Sequence, residues 1–148
     1  MRVTVTKNFD LRKINLDLTK ELNIVGQMIR EDHSKRLQRG EGVDGSKMAR
    51  LKDATIERKG FNQILVDTGE MGNLVIDKAT KSKQEVNIFP GRKRRRGKGK
   101  ITNQELGGYH QRGDGNLPKR EWFGITNKIE PKANKLIEDR IEREIRRA

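Results

Sequence analysis

At 148 residues the chain suits one domain, placed here at 1–148, and leaves room for only a modest core: 31% of residues are hydrophobic, 4% aromatic and 37% charged. A net charge of +13 and a pI near 10.3 favour a polyanion or an acidic protein surface as partner. Cysteine is absent, which excludes disulfides, thiolate nucleophiles and sulfur-ligated metals.

No run of about 18 apolar residues is present, so no membrane-spanning helix and no membrane partner are expected. The first residues turn polar too early for the apolar centre of a signal peptide. The chain is expected to act in the cytoplasm or in something assembled there.

In chain order, Val3-Thr4-Val5-Thr6 alternates like a short strand, and Asp10 can cap a following helix. Apolar residues at Leu11, Ile14, Leu18, Leu22, Val25, Ile29 and Leu37 recur mostly at steps of three and four. They predict one helix face running to Gly40, a rod of roughly 44 Å. Gly26 inside it marks a bend or a close contact. His33, between charged residues, is expected on the solvated surface.

Residues 40–47 are glycine-rich loop. Met48–Leu51 and Ala54–Ile56 predict a turn or two of helix, ended by Gly60. Ile64-Leu65-Val66 is a short apolar run, after which Asp67 or Thr68 caps one helical turn. Residues 73–79 and 84–89 predict a hairpin turning at Thr80–Lys83, stopped by Pro90-Gly91.

A basic loop follows, with Arg92, Lys93, Arg94, Arg95, Arg96, Lys98 and Lys100. Residues 90–120 hold ten bases against two acids, well over half of the net excess. Such density keeps an unpaired segment extended. Three readings are open for it: contact with phosphates, contact with an acidic protein surface, or a solvated loop without a fixed contact; no aromatics interleave to stack on bases. Thr102 caps a short helix to about Gln111. Glu121–Thr126 is the last expected strand, and an amphipathic helix with Pro131 in its first turn closes the chain. The expected fold is α+β: a long N-terminal helix, a small mostly antiparallel sheet with a basic insertion at 91–100, and a C-terminal helix.

Chemistry-bearing motifs are weak. Asp67-Thr68-Gly69 resembles the aspartic-protease triplet, but Glu70 follows it and no second carboxylate segment appears to share the proton. Arg112-Gly113-Asp114 matches a tripeptide of integrin ligands, without a secretory signal beside it. His33 and His110 are the only histidines and do not make a metal set. No catalysis, no cofactor and no metal is expected.

Three segments together resemble the virion-morphogenesis, or tail-completion, family of tailed bacteriophages. The first is Lys47-Met48-Ala49-Arg50-Leu51 with Thr55 and Lys59-Gly60. The second is Ile64-Leu65-Val66-Asp67-Thr68-Gly69-Glu70-Met71. The third is Tyr109-His110-Gln111-Arg112-Gly113 followed by Leu117-Pro118-Lys119-Arg120-Glu121-Trp122-Phe123-Gly124. The likeness covers roughly residues 10–147. It departs at Met48, where the family tends to an aromatic, at Asn73, and in the longer and more basic 92–100 loop.

The resemblance implies an α+β subunit of the phage neck, without catalysis. It implies a ring of identical copies that completes the tail and joins it to the DNA-filled head. Other neck and tail proteins (head-closure, terminator or tail tube) and genomic DNA in the channel are the implied partners. The implied location is the virion, assembled in the host cytoplasm. On this reading Asp67, Thr68, Gly69, Gln111, Gly113, Pro118, Arg120, Trp122 and Phe123 serve the subunit interface or the structural motif. Arg120 is a candidate for a carboxylate contact, and Trp122 and Phe123 alternate faces on a strand, one toward the core. The alternatives are a tail-terminator ring and a free basic nucleic-acid-binding protein.

Overall fold

The computed structural model describes residues 14–65, 72–91 and 102–147. Helix α1 spans Thr19–Arg39 and α2 Asp53–Lys59. Strands β1 (Leu74–Asp77) and β2 (Asn87–Pro90) follow, then α3 (Asn103–Arg112) and α4 (Glu130–Arg147). The strands pair antiparallel, with Leu74 opposite Pro90 and Asp77 opposite Asn87. The fold is therefore α+β, long helices at both ends and a two-stranded sheet between them.

Helix α1 carries the expected face. Val25, Ile29 and Leu37 are buried. The helix ends where expected, at Gly40, whose N–H reaches the Leu37 carbonyl while that of Glu41 takes Arg36 O at 2.9 Å. Its start differs from expectation. Residues 14–18 are not helical, and the Asp10 cap lies outside the described residues. Instead the Asp17 carboxylate accepts the Thr19 N–H at 3.0 Å, and Gln84 Oε1 accepts that of Leu18 at 2.8 Å. These contacts satisfy donors that a helix start leaves open. Hydrogen bonds from Thr19 and Gln84 hold the Asp17 carboxyl down at about 2. With 21 residues, α1 is about 32 Å long.

The hairpin forms with shorter strands than expected, and Thr80 and Lys83 close its loop through two backbone hydrogen bonds. It docks on α1 through Asn23, whose amide donates to Ala79 O at 3.2 Å and accepts from Ala79 N at 2.8 Å. At Gly26 a Cβ would lie 2.9 Å from Val86 Cγ2 and 3.4 Å from Ile76 Cγ2. Glycine here allows a close helix–hairpin contact.

Two apolar clusters form. Val25 and Ile29 meet Ile129 and Ala133, with Ile88 and Leu136 at the edge, which packs α4 against α1. Leu37 meets Met48, Leu65 and Trp122, with Leu106 and Phe123 beside them. Two expected elements are corrected. Met48–Leu51 is not helical, and α2 begins only at Asp53. Residues 121–126 form no strand, for a reason that lies in the neighbouring side chains.

Candidate functional site

The second cluster is built around one indole. Trp122 is 2% exposed, and its Nε1 donates to Gly107 O at 2.9 Å. Helix α3 can come this close because position 107 lacks a side chain: a Cβ there would sit 2.5 Å from Trp122 Cζ2. A capping box starts α3, with Thr102 Oγ1 accepting from Glu105 N and Glu105 Oε2 from Thr102 N. Near its other end, Gln111 Oε1 accepts the N–H groups of Trp122 and Phe123 at 3.0 and 3.2 Å. The Gln111 amide donates to Phe123 O at 3.2 Å. The Trp122 carbonyl accepts from Arg36 Nη1 at 3.1 Å, and Glu121 O from Val43 N at 2.8 Å. Side chains and a loop thus provide the bonds a partner strand would provide, and 121–126 stays irregular.

Arg120 is buried, at 4% exposure. Its guanidinium donates to Ala49 O at 3.0 Å and Arg50 O at 3.4 Å, and its own N–H reaches His110 O at 2.8 Å. The expected carboxylate contact is corrected: this arginine ties backbone carbonyls of the 48–51 segment to the end of α3. Burial lowers its pKa. Burial, then the Arg120 charge, lowers that of His110.

Pro118 is exposed in the irregular segment leading to Arg120. Gly113 caps α3 at φ 74° and closes on the Lys119 backbone. Trp122 fills the core as one of the two aromatics was expected to. Phe123, not on an opposite strand face, packs against the same cluster, its ring 5.6 Å from the indole. The Arg112 and Asp114 side chains pair at 2.6 Å, closing the Arg-Gly-Asp tripeptide on itself. Asp67, Thr68, Gly69 and the basic set Arg92, Lys93, Arg94, Arg95, Arg96, Lys98 and Lys100 lie outside the described residues.

His33 was placed on the surface by its charged neighbours and is instead 1% exposed. Its ring packs 5.3 Å from Trp122 and 6.3 Å from Phe123. Burial, reinforced by the Arg36 charge, lowers its pKa to about 4. The Trp122 backbone and Asp32 pull the other way and are outweighed, and among the described residues neither ring nitrogen has a hydrogen bond of good geometry. Arg36, equally buried, bonds Asp32 at 2.8 Å. The signal for His33 was present in the sequence: it lies four residues from both Ile29 and Leu37, on the same face.

Among the described residues no group of three or more His, Asp or Glu side chains could hold a metal ion, and no helix is long and apolar enough to cross a membrane. What the site does is fasten. Segments 48–50, 64–65, 106–112 and 120–123 are pinned to the C-terminal half of α1. Gln111→Ala is expected to lower stability by about 1–2 kcal/mol, because two part-buried N–H groups lose their acceptor. Urea denaturation measures this, and an unchanged midpoint would show that the contacts carry no net stability. No protein family, curated protein or solved structure matches this chain.

Proposed function

We propose that this chain is a structural protein of the tailed-phage neck, a subunit that assembles as a ring, completes the tail and joins it to the DNA-filled head. One observation supports the reading above others. The described parts of the segments that carry the resemblance, 48–50, 64–65, 109–113 and 120–123, are far apart in sequence yet meet in one packed unit. Met48 and Leu65 touch Trp122, Arg120 binds Ala49 O, and Gln111 binds the backbone of 122–123. Their packing together supports reading them as parts of one structural unit. The unit makes a stiff base for a subunit that passes load to its neighbours. Ile125, directly after it, turns outward at 51% exposure, which suits contact with a second copy in a head-to-tail ring.

In this reading the ring lines a passage for DNA, and the 92–100 bases meet that DNA or an acidic neighbouring ring. The deciding experiment is electron microscopy of lysates from a phage or prophage lacking this chain. Filled heads beside separate tails of normal length are expected. Overlong tails would move the assignment to a terminator, and intact infectious virions would overturn the neck reading in favour of free nucleic-acid binding. Replacing Arg92, Arg94, Arg95 and Arg96 with serine is expected to leave the fold intact and reduce infectious particles. Undiminished titre would remove the loop from the assembly contact.

A further inference from the structure

The first turn of α1, the hairpin loop and the last turns of α4 enclose an open cleft of about 420 Å³. Every residue lining it is charged except Thr19. Its acids are already engaged. Asp17 accepts from Thr19 and Gln84. Glu21 is 5% exposed, and its Oε1 lies 3.9 Å from both Arg140 Nε and Arg143 Nη2. Glu144 takes Arg140 at 3.0 Å and Arg147 at 3.6 Å, so the charges of those two arginines are answered within α4. Lys20, Lys81 and the half-exposed Arg143 remain on the cleft.

Lys78 and Lys83 stand on the same hairpin loop as Lys81, between β1 and β2. These three lysines and Lys20 are exposed, and among the described residues none of them pairs with a carboxylate. Other exposed bases do: Arg39 and Lys47 with Glu41, Arg50 with Asp53, Lys119 with Glu121. Lys20 also occupies the first turn of α1, the helix end where the dipole disfavours a cation, and gains no ion pair there. The loop itself is held in place. Thr80 and Lys83 close it through two backbone hydrogen bonds, Asn23 bonds both backbone groups of Ala79, and Gln84 Oε1 accepts Leu18 N–H. Its lysines therefore project from a fixed frame, and a ligand does not have to order the loop first.

We propose that this end of the chain is a docking surface for the phosphate backbone of duplex DNA, with Lys20, Lys81, Lys83 and Arg143 on phosphate oxygens. The chemistry of the cleft selects that partner. A protein partner anchors itself through aromatic and other large side chains seated in closed pockets, and this cleft is open and has no aromatic or aliphatic residue in its wall. Single strands are held by bases stacked on aromatic side chains, and none is present here. A duplex backbone asks only for cations in a fixed arrangement, and such contacts read no sequence. These side chains are distinct from the bases at 92–100, and the contact serves a neck protein and a free nucleic-acid-binding protein alike.

The test is binding of a short DNA duplex to the full chain, read by fluorescence anisotropy over a salt series. Each phosphate contact adds about 0.9 to the slope of log affinity against log salt. Lys20→Gln, Lys81→Gln and Lys83→Gln combined are expected to lower that slope by about 2–3 and to weaken binding at least about tenfold, equally for two duplexes of unrelated sequence. Lys52→Gln, Lys128→Gln and Lys132→Gln combined remove the same charge from other exposed positions. That control is expected to change the slope by less than about 1. Both triple variants are expected to melt like the wild type, since all six side chains are exposed. An unchanged slope in the first variant overturns the proposal. An equal fall in the control does so too, because total charge would then account for the binding. Unequal loss on the two duplexes overturns the backbone contact. Loss of poly-glutamate binding with an unchanged DNA slope transfers the surface to an acidic protein and likewise overturns the proposal. None of these outcomes depends on the neck assignment.

Discussion

Trp122→Ala is expected to cost about 3–5 kcal/mol, a large share of the 5–15 kcal/mol typical of a whole domain. Three losses coincide. The largest buried side chain of the chain disappears from a thin core, Leu37, Met48 and Leu65 face the cavity it leaves, and Gly107 O loses its indole donor. Position 107 has no side chain with which to fill the gap. Chemical denaturation of wild type and variant reads the effect directly. A loss under about 1 kcal/mol would mean that the cluster collapses around the cavity, and that the indole is not what holds the segments together.

Acidification is expected to remove about 3 kcal/mol of stability between pH 6.5 and 4, through His33. The sign follows from the direction of its shift. In the folded chain its pKa lies at about 4, below the ordinary 6.5. The unfolded chain therefore takes up the proton first, and stability falls as pH drops through that window. The Arg36 charge, 3% exposed beside it, offers the imidazolium no relief. His110 shifts the same way, so the informative quantity is the difference between wild type and His33→Leu. Asp17, lowered to about 2, acts only at more acid pH. If denaturation midpoints of wild type and His33→Leu fall in parallel from pH 7 to 4, His33 is not the titrating group.

Helices were legible where local chemistry decides. The spacing of Val25, Ile29 and Leu37 by four and eight residues, the stop at Gly40 and the cap at Thr102 are visible without tertiary information. The start of α1 was not, because its cap depends on Gln84, more than sixty residues away. Glu121–Thr126 has the composition of a strand, but composition does not say whether a partner strand exists, and Gln111 and Arg36 took that place. His33 and Arg120 show the same limit for polar side chains. Neighbours in sequence suggested water for one and a carboxylate for the other. Burial beside Trp122 and a pair of loop carbonyls decided otherwise. The cleft was illegible for a similar reason, since it joins bases from α1, the hairpin loop and α4.

The two apolar clusters share α1: Val25 and Ile29 enter one, Leu37 the other. Between Ile29 and Leu37 lie about 12 Å of continuous helix. Neither half can swing against the other without bending or melting those two turns, so α1 acts as an axle on which both are keyed. A push received at the α4 end reaches the Trp122 end as a rotation or displacement of the whole body. The two thin cores of the described part of the chain are therefore arranged in series along one helix instead of merged.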